Sequence, residues 1–294
     1  MGPTASGKSS LVEKIYSKYN HPLVINADAF QIYKEMNIGT AKIDSDSPLF
    51  NSYALLDKKR PDETYSVYEY QRDFRELVNK AIKSHRDVIV VGGTGLYIRA
   101  ALFDYTFLEV SKNANSEMYN DISDEELYEK LLDCDPEAAN KIHPNNRKRV
   151  IRALEIFNES GQTKSGIISG QKHELVYDDV RFVFLNPKRD ELYFRIDKRV
   201  DEMFSSGLVE EVIHLLNKYN LSDTAKAAIG YKETIDYLQE KTSLEEAKEI
   251  IKKRTRNYAK RQITFFKNQF ETIKCATIEE AENLIETWRN KNDK

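Results

Sequence analysis

The sequence predicts an α/β protein: a parallel-sheet core with an inserted helical cap and a helical C-terminal part. Three observations carry this expectation. A glycine-rich loop at the start of the chain opens into a helix, and two short β-branched runs, Leu23–Asn26 and Val88–Val91, flank a helical period. From about residue 188 onward helical periodicity runs almost to the end. Short β-branched runs that do not alternate with polar residues read as strands buried on both faces. Between them, residues 67–85 place Tyr70, Phe74, Leu77, Val78, Ala81 and Ile82 on one face of an amphipathic helix. Strand, helix, strand in that order argues for a parallel sheet.

Residues 180–185 form a further expected strand, ended by Asn186-Pro187, and residues 104–145 read as a polar helical insertion between sheet elements. The expected C-terminal helices cover residues 191–204, 208–219, 224–239, 244–270 and 278–289. The expected division is a catalytic core of residues 1–105 and 146–187, an insertion of residues 106–145, and a helical region of residues 188–294 packed on the core. A phosphate-binding loop normally follows a buried strand, whereas here it begins at Gly2, so a short strand is expected ahead of this chain.

Composition narrows the function classes. The 294 residues are 40% apolar and 32% charged. No apolar run approaches the roughly 20 residues that span a bilayer. The first residues, MGPTASGKSS, lack a basic-then-apolar leader. Cys134 and Cys275 are too few for a zinc cluster or a disulfide framework, and the histidines, His21, His85, His143, His173 and His214, show no ligand spacing. A cytoplasmic monomer is expected.

The formal net charge of −3 argues against a polyanion partner, but its distribution argues the other way. Residues 141–152 carry five cations and no carboxylate, and residues 252–267 carry seven and none. Lys252, Arg256 and Lys260 follow at i, i+4 spacing, so they share a helix face. Ile251, Tyr258, Ile263, Phe266 and Phe270 are the expected opposing apolar stripe. The cationic face fits either a nucleic-acid backbone or plain solvent.

The most specific motif is Gly2-Pro3-Thr4-Ala5-Ser6-Gly7-Lys8-Ser9, a full Walker A match, which makes the expected core P-loop NTPase-like. Its glycines let backbone amides curl around phosphate oxygens, Lys8 supplies charge, and Ser9 can hold Mg²⁺. A motor ATPase needs a carboxylate at the end of a buried strand. The second strand ends instead in Gly92-Gly93-Thr94-Gly95. The well-placed acid is Asp28, after Leu23–Asn26, which fits a metal partner, a base toward an acceptor, or a helix N-cap. Thr94 lies at a strand-to-helix turn on the edge where open α/β sheets bind ligands.

Six motifs in order cover nearly the whole chain: GPTASGKSS, DAFQIYKEMNIGTAK, GGTGLYIRA, HPNNRKRVIRALE, AIGYKE and YAKRQITFFKN. Together they resemble the tRNA dimethylallyltransferases. The resemblance implies transfer of a dimethylallyl group from dimethylallyl diphosphate to the exocyclic amine of an adenosine. That base is the one 3′ of the anticodon in tRNAs reading U-initial codons. On this reading Gly2, Thr4, Ala5, Ser6, Gly7, Lys8 and Ser9 bind diphosphate as a leaving group, with Mg²⁺ as cofactor. Asp28 is implied as general base, with Thr94 assisting at the diphosphate or the reacting centre. Asp28, Ala29, Phe30, Gln31 and Thr94 are implied at the target base, and Lys148, Arg149, Val150, Ile151 and Arg152 at the tRNA anticodon stem-loop. The chain has Tyr53-Ala54 where bacterial members commonly show two histidines, and its tail after Asn268 matches no family motif. The rival readings are a small-molecule kinase, using Arg152 or Arg99 on the transferred phosphoryl group, and a non-catalytic RNA-binding module.

Overall fold

A computed structural model describes residues 1–107 and 116–292; residues 108–115 of the expected insertion lie outside this range. The chain forms two compact units, one of Met1–Ala101 with Asp179–Lys294 and one of Leu102–Asp178.

The first unit opens with the glycine loop and α1 (Lys8–Tyr16), then β1 (Leu23–Asn26), β2 (Tyr53–Ala54), α2 (Val67–Lys83), β3 (Val88–Val91) and α3 (Gly95–Leu102). Strands β2, β1 and β3 form a parallel sheet in that order, with Leu23 opposite Val88 and Asn26 opposite Val91. Val24, Ile25 and Phe74 are fully buried, as the unalternating strand and the amphipathic helix require. Ser66 and Glu69 close a reciprocal capping box at the start of α2. Tyr70 stacks on Tyr97 at 4.2 Å and donates its hydroxyl to the Asn26 carbonyl at 3.1 Å, which ties α2 and α3 to the end of β1.

The second unit holds α4 (Asp124–Cys134), α5 (Pro136–Lys141), α6 (Arg147–Ser160) and α7 (Lys164–Ser169). Leu127, Leu131, Ala139, Val150 and Ala153 make its core. The expected boundary at residue 146 is therefore corrected. Helix α6 turns its apolar face to α4 and belongs with the insertion, because Val150 and Ala153 complete a core that α4 and α5 cannot close alone.

The chain returns through β4 (Val183–Leu185), α8 (Arg189–Ser205), α9 (Leu208–Lys218), α10 (Asp223–Lys226), α11 (Tyr231–Leu238), α12 (Leu244–Gln269), β5 (Ile273–Cys275) and α13 (Ile278–Asn292). Two further expectations change here. The single helix expected over residues 224–239 is broken into α10 and α11 at Gly230, whose φ of 97° lies in the left-handed region. The unmatched tail proves architectural. Strand β5 pairs in parallel with β4, and Ala281 of α13 joins Leu11, Ile15, Leu185 and Cys275 in one buried cluster. Met1 adds a single rung beside β4, its nitrogen bonded to the Val183 carbonyl at 2.8 Å and its carbonyl accepting from Leu185 N–H at 2.9 Å.

Helix α12 buries Ala247, Ile251, Ala259, Gln262 and Phe266, so Ile251 and Phe266 of the expected stripe are core, and Phe270 at its end is buried with them. Tyr258 and Ile263 are only half-buried. The cationic face is corrected with it. Lys252 pairs with Asp201 at 2.9 Å and Arg256 binds both oxygens of Asp197 at 2.7 and 2.8 Å, so these two cations are consumed against α8. Lys260 alone of the three is exposed.

Candidate active site

The glycine loop bends at Ala5 (φ 59°) and Gly7 (φ 94°) before α1 begins. Lys8 folds back along it, donating to the Pro3 carbonyl at 2.7 Å. Burial pulls its ammonium down to about 8, with Arg199 lowering it further and Asp28 opposing. Arg199, on α8, donates to Thr4 Oγ1 and to the Thr40 carbonyl, each at 3.2 Å. Two buried donors at this cradle, Ser6 Oγ and Arg199 Nε, have no hydrogen-bond partner among the described residues. Buried polar groups are rarely left so. Two cations and two unmet donors around curled backbone amides form a built anion site.

The acceptor side faces this cradle from the carboxyl ends of β1 and β3. No helix follows β1, so Asp28 is not a helix N-cap. Its Oδ1 accepts from Phe30 N–H at 3.0 Å in an irregular loop, and Oδ2 accepts no hydrogen bond among the described residues. Buried Asn26 fixes the turn, accepting from Asp28 N–H at 3.2 Å and donating to the Leu55 carbonyl at 3.1 Å. Thr94 Oγ1 accepts from Ala29 N–H and Thr94 N–H donates to the Ala27 carbonyl, both at 3.0 Å, so the turns after β1 and β3 are locked together. A Cβ on Gly92 would lie 2.2 Å from the Ala27 carbonyl oxygen, which is why this turn needs glycine. Gln31 spends its amide N–H groups on the Thr40 and Ala41 carbonyls, both at 3.1 Å, holding the loop that bears Ala29 and Phe30.

Ser9 is exposed in the first turn of α1. One hydroxyl is a donor set that fits Mg²⁺, an ion that takes most of its ligands from phosphate oxygens and water. No group of three or more His, Cys, Asp or Glu side chains that could hold a metal exists among the described residues.

Three residues here escaped the sequence reading. Arg199 sits in a run of charged helix and carries no signal of its own. Tyr258, expected in an apolar stripe, instead places its hydroxyl within hydrogen-bond reach of Thr94 and Gln262, and burial and the charge of Asp28 push it up to about 12. Gln262 did leave a signal: it is a polar residue within the row Ala247, Ile251, Ala259, Phe266 that α12 buries.

The family model for IPP transferase matches residues 31–269. The chain belongs to that family. Family relatives extend over nearly all of it. A tRNA dimethylallyltransferase of Thermoanaerobacter is 41% identical over 99% of this chain and 94% of the relative. One of Bacillus licheniformis is 42% identical over 98% and 94%. A solved tRNA delta(2)-isopentenylpyrophosphate transferase of Staphylococcus epidermidis superposes with a TM-score of 0.70 at 32% identity, covering 99% of this chain and 97% of that one. A solved eukaryotic dimethylallyltransferase acting on tRNA gives 0.79 at 29% identity, covering 94% and 72%.

The IPP-transferase core thus gathers Gly2–Ser9, Asp28 and Thr94. The expected contacts at residues 148–152 lie in the second unit, where Lys148 and Arg149 are exposed and Arg152 pairs with Glu155 at 3.1 Å. Val150 is fully buried in that unit's core, so its side chain is corrected from a tRNA contact to a packing residue. Ile151 packs against the same cluster. Arg99, the rival reading's alternative phosphoryl contact, hydrogen-bonds Gln269. No helix among the described residues is long and apolar enough to cross a membrane.

Proposed function

We propose that this enzyme transfers a dimethylallyl group from dimethylallyl diphosphate to the exocyclic amine of the adenosine 3′ of the anticodon in tRNAs reading U-initial codons. The observation that carries the donor half is the pair of unmet buried donors, Ser6 Oγ and Arg199 Nε, on a cradle already holding Lys8. Such a site stabilises charge that develops on a departing diphosphate. As the allylic C–O bond breaks, its electron pair leaves with the diphosphate. The amine nitrogen forms the new C–N bond and releases one proton. Asp28 Oδ2 is the acceptor for that proton, an arrangement worth about 10²–10⁴-fold. Thr94, locked to Ala29 and within reach of Tyr258, holds the Asp28 loop at its distance from the cradle. Bound through Ser9 and the phosphates, Mg²⁺ would neutralise charge on the leaving group.

A target base must leave its stack to reach such a centre. The name of the relatives and the acid-free cation runs support a tRNA substrate. A β3 strand that ends in a glycine turn, with no carboxylate for water activation, supports diphosphate as leaving group over ATP as fuel. The test is incorporation of labelled prenyl diphosphate into unmodified tRNA, run beside an ATP phosphotransfer assay. Prenyl incorporation with negligible ATP turnover is expected. Robust tRNA-stimulated ATP hydrolysis without prenyl transfer overturns the reading.

A further inference from the structure

Gln262 is 95% removed from solvent, yet it lies in the row of α12 that otherwise buries Ala259 and Phe266. An uncharged polar side chain persists in such a row at a cost unless both ends of its amide are satisfied. Both are. Oε1 accepts from Thr4 N–H of the phosphate cradle at 2.9 Å, and Nε2 donates to the Gly93 carbonyl at 2.8 Å. Gly93 is glycine for this contact, since a Cβ there would stand 2.3 Å from Nε2. One side chain therefore bridges the loop that holds the leaving group and the turn that carries Thr94. Those segments are otherwise 89 residues apart in sequence between Thr4 and Gly93.

We infer that Gln262 is a positioning residue that sets the distance between the diphosphate cradle and the proton-accepting side of the site. This rests on the proposed prenyl transfer. Reaction between two bound groups depends steeply on their mutual placement; a misplacement of about 1 Å costs on the order of 10²-fold. Neither end of Gln262 touches reacting atoms, so its loss acts on turnover through the relation between the two loops, while each loop keeps its own ligand contacts.

The test uses Gln262→Glu and Gln262→Met in the full chain, with single-turnover rates and donor KM measured from pH 6 to pH 8. A protonated glutamic acid has the same donor and acceptor as glutamine. An ionised one turns a carboxylate oxygen onto the Gly93 carbonyl. The titratable groups around this position are Tyr258 and Arg261 on α12, Asp28 after β1, Lys8 on α1 and Arg199 on α8. An added carboxylate here holds Lys8 charged to higher pH, which by itself would lower the ratio toward pH 6, opposite to the change expected from the bridge. The ratio of Gln262→Glu to wild type should rise about tenfold from pH 8 to pH 6 as the bridge reforms. Gln262→Met should stay about 10- to 100-fold slow at every pH, with donor KM within about threefold of wild type. A flat ratio for Gln262→Glu, or a loss confined to KM, overturns the inference. Prenyl transfer absent in the wild type itself would instead remove the proposed function.

Discussion

Lys8 offers a quantitative test of the cradle. Its ammonium is held at about 8 by burial, with the Arg199 guanidinium pressing the same way and Asp28 opposing. A diphosphate requires the charged form, while the terminal phosphate of dimethylallyl diphosphate, with a last ionisation near about 6, is already charged across the alkaline range. At pH 7 about nine-tenths of Lys8 is protonated and at pH 9 about one-tenth, so donor binding should weaken about tenfold between them. Calorimetric titration with dimethylallyl diphosphate in the absence of tRNA measures this directly. Lys8→Met should bind weakly and without that break.

Asp28→Asn removes the one group that holds Lys8 up, so the break should move below pH 8. Stability carries the opposite slope. Between pH 8 and the ordinary lysine value the unfolded chain binds a proton that the folded chain has lost. Stability relative to Lys8→Met should therefore rise with pH through that window, by up to about 3 kcal/mol. Donor affinity that is flat from pH 7 to 9 in the wild type would refute the buried, cation-flanked lysine. A break that Asp28→Asn leaves in place would refute the coupling across the site.

Three further outcomes follow from particular contacts. Asp28→Asn should lower single-turnover prenyl transfer by about 10²-fold or more while tRNA affinity stays within a few-fold; wild-type transfer in this variant would remove Asp28 as the proton acceptor. With Lys252 and Arg256 paired to α8, the exposed cations of α12 are Lys253, Lys260, Arg261 and Lys267; the three lysines stand at heptad spacing along about 21 Å and without an ion pair among the described residues. Their joint replacement by Ala should weaken cognate and non-cognate tRNA alike and reduce the salt slope by about 2, read by anisotropy across a salt series; an unchanged slope would mean this face meets only solvent. Gly39→Ala would set a Cβ 2.4 Å from the fully buried Tyr231 ring, in the loop whose Asn37, Ile38 and Gly39 N–H groups Glu211 holds. It should cost about 1–3 kcal/mol in urea unfolding, and an unaltered midpoint would show that the loop yields freely.

The sequence by itself determined whatever depends on local order. Strands β1 and β3, helix α2 and the phosphate loop follow from hydrophobic period and glycine spacing, because each is specified by neighbours within one or two turns. The acids and hydroxyls at strand ends, Asp28 and Thr94, were legible for the same reason: a parallel sheet presents its carboxyl edge to ligands wherever a strand stops. Tertiary structure alone decided what each helix face meets. The i, i+4 spacing of Lys252 and Arg256 marks a shared face, but only α8, bringing Asp197 and Asp201, turned that face inward. Arg199, Tyr258 and Gln262 reach Thr4, Thr94 and Gly93 across more than 100 residues of chain. Periodicity reports burial and never partner. The assignment of α6 to the second unit has that same cause, since the apolar face of Val150 and Ala153 could close either core and packing against α4 chose one.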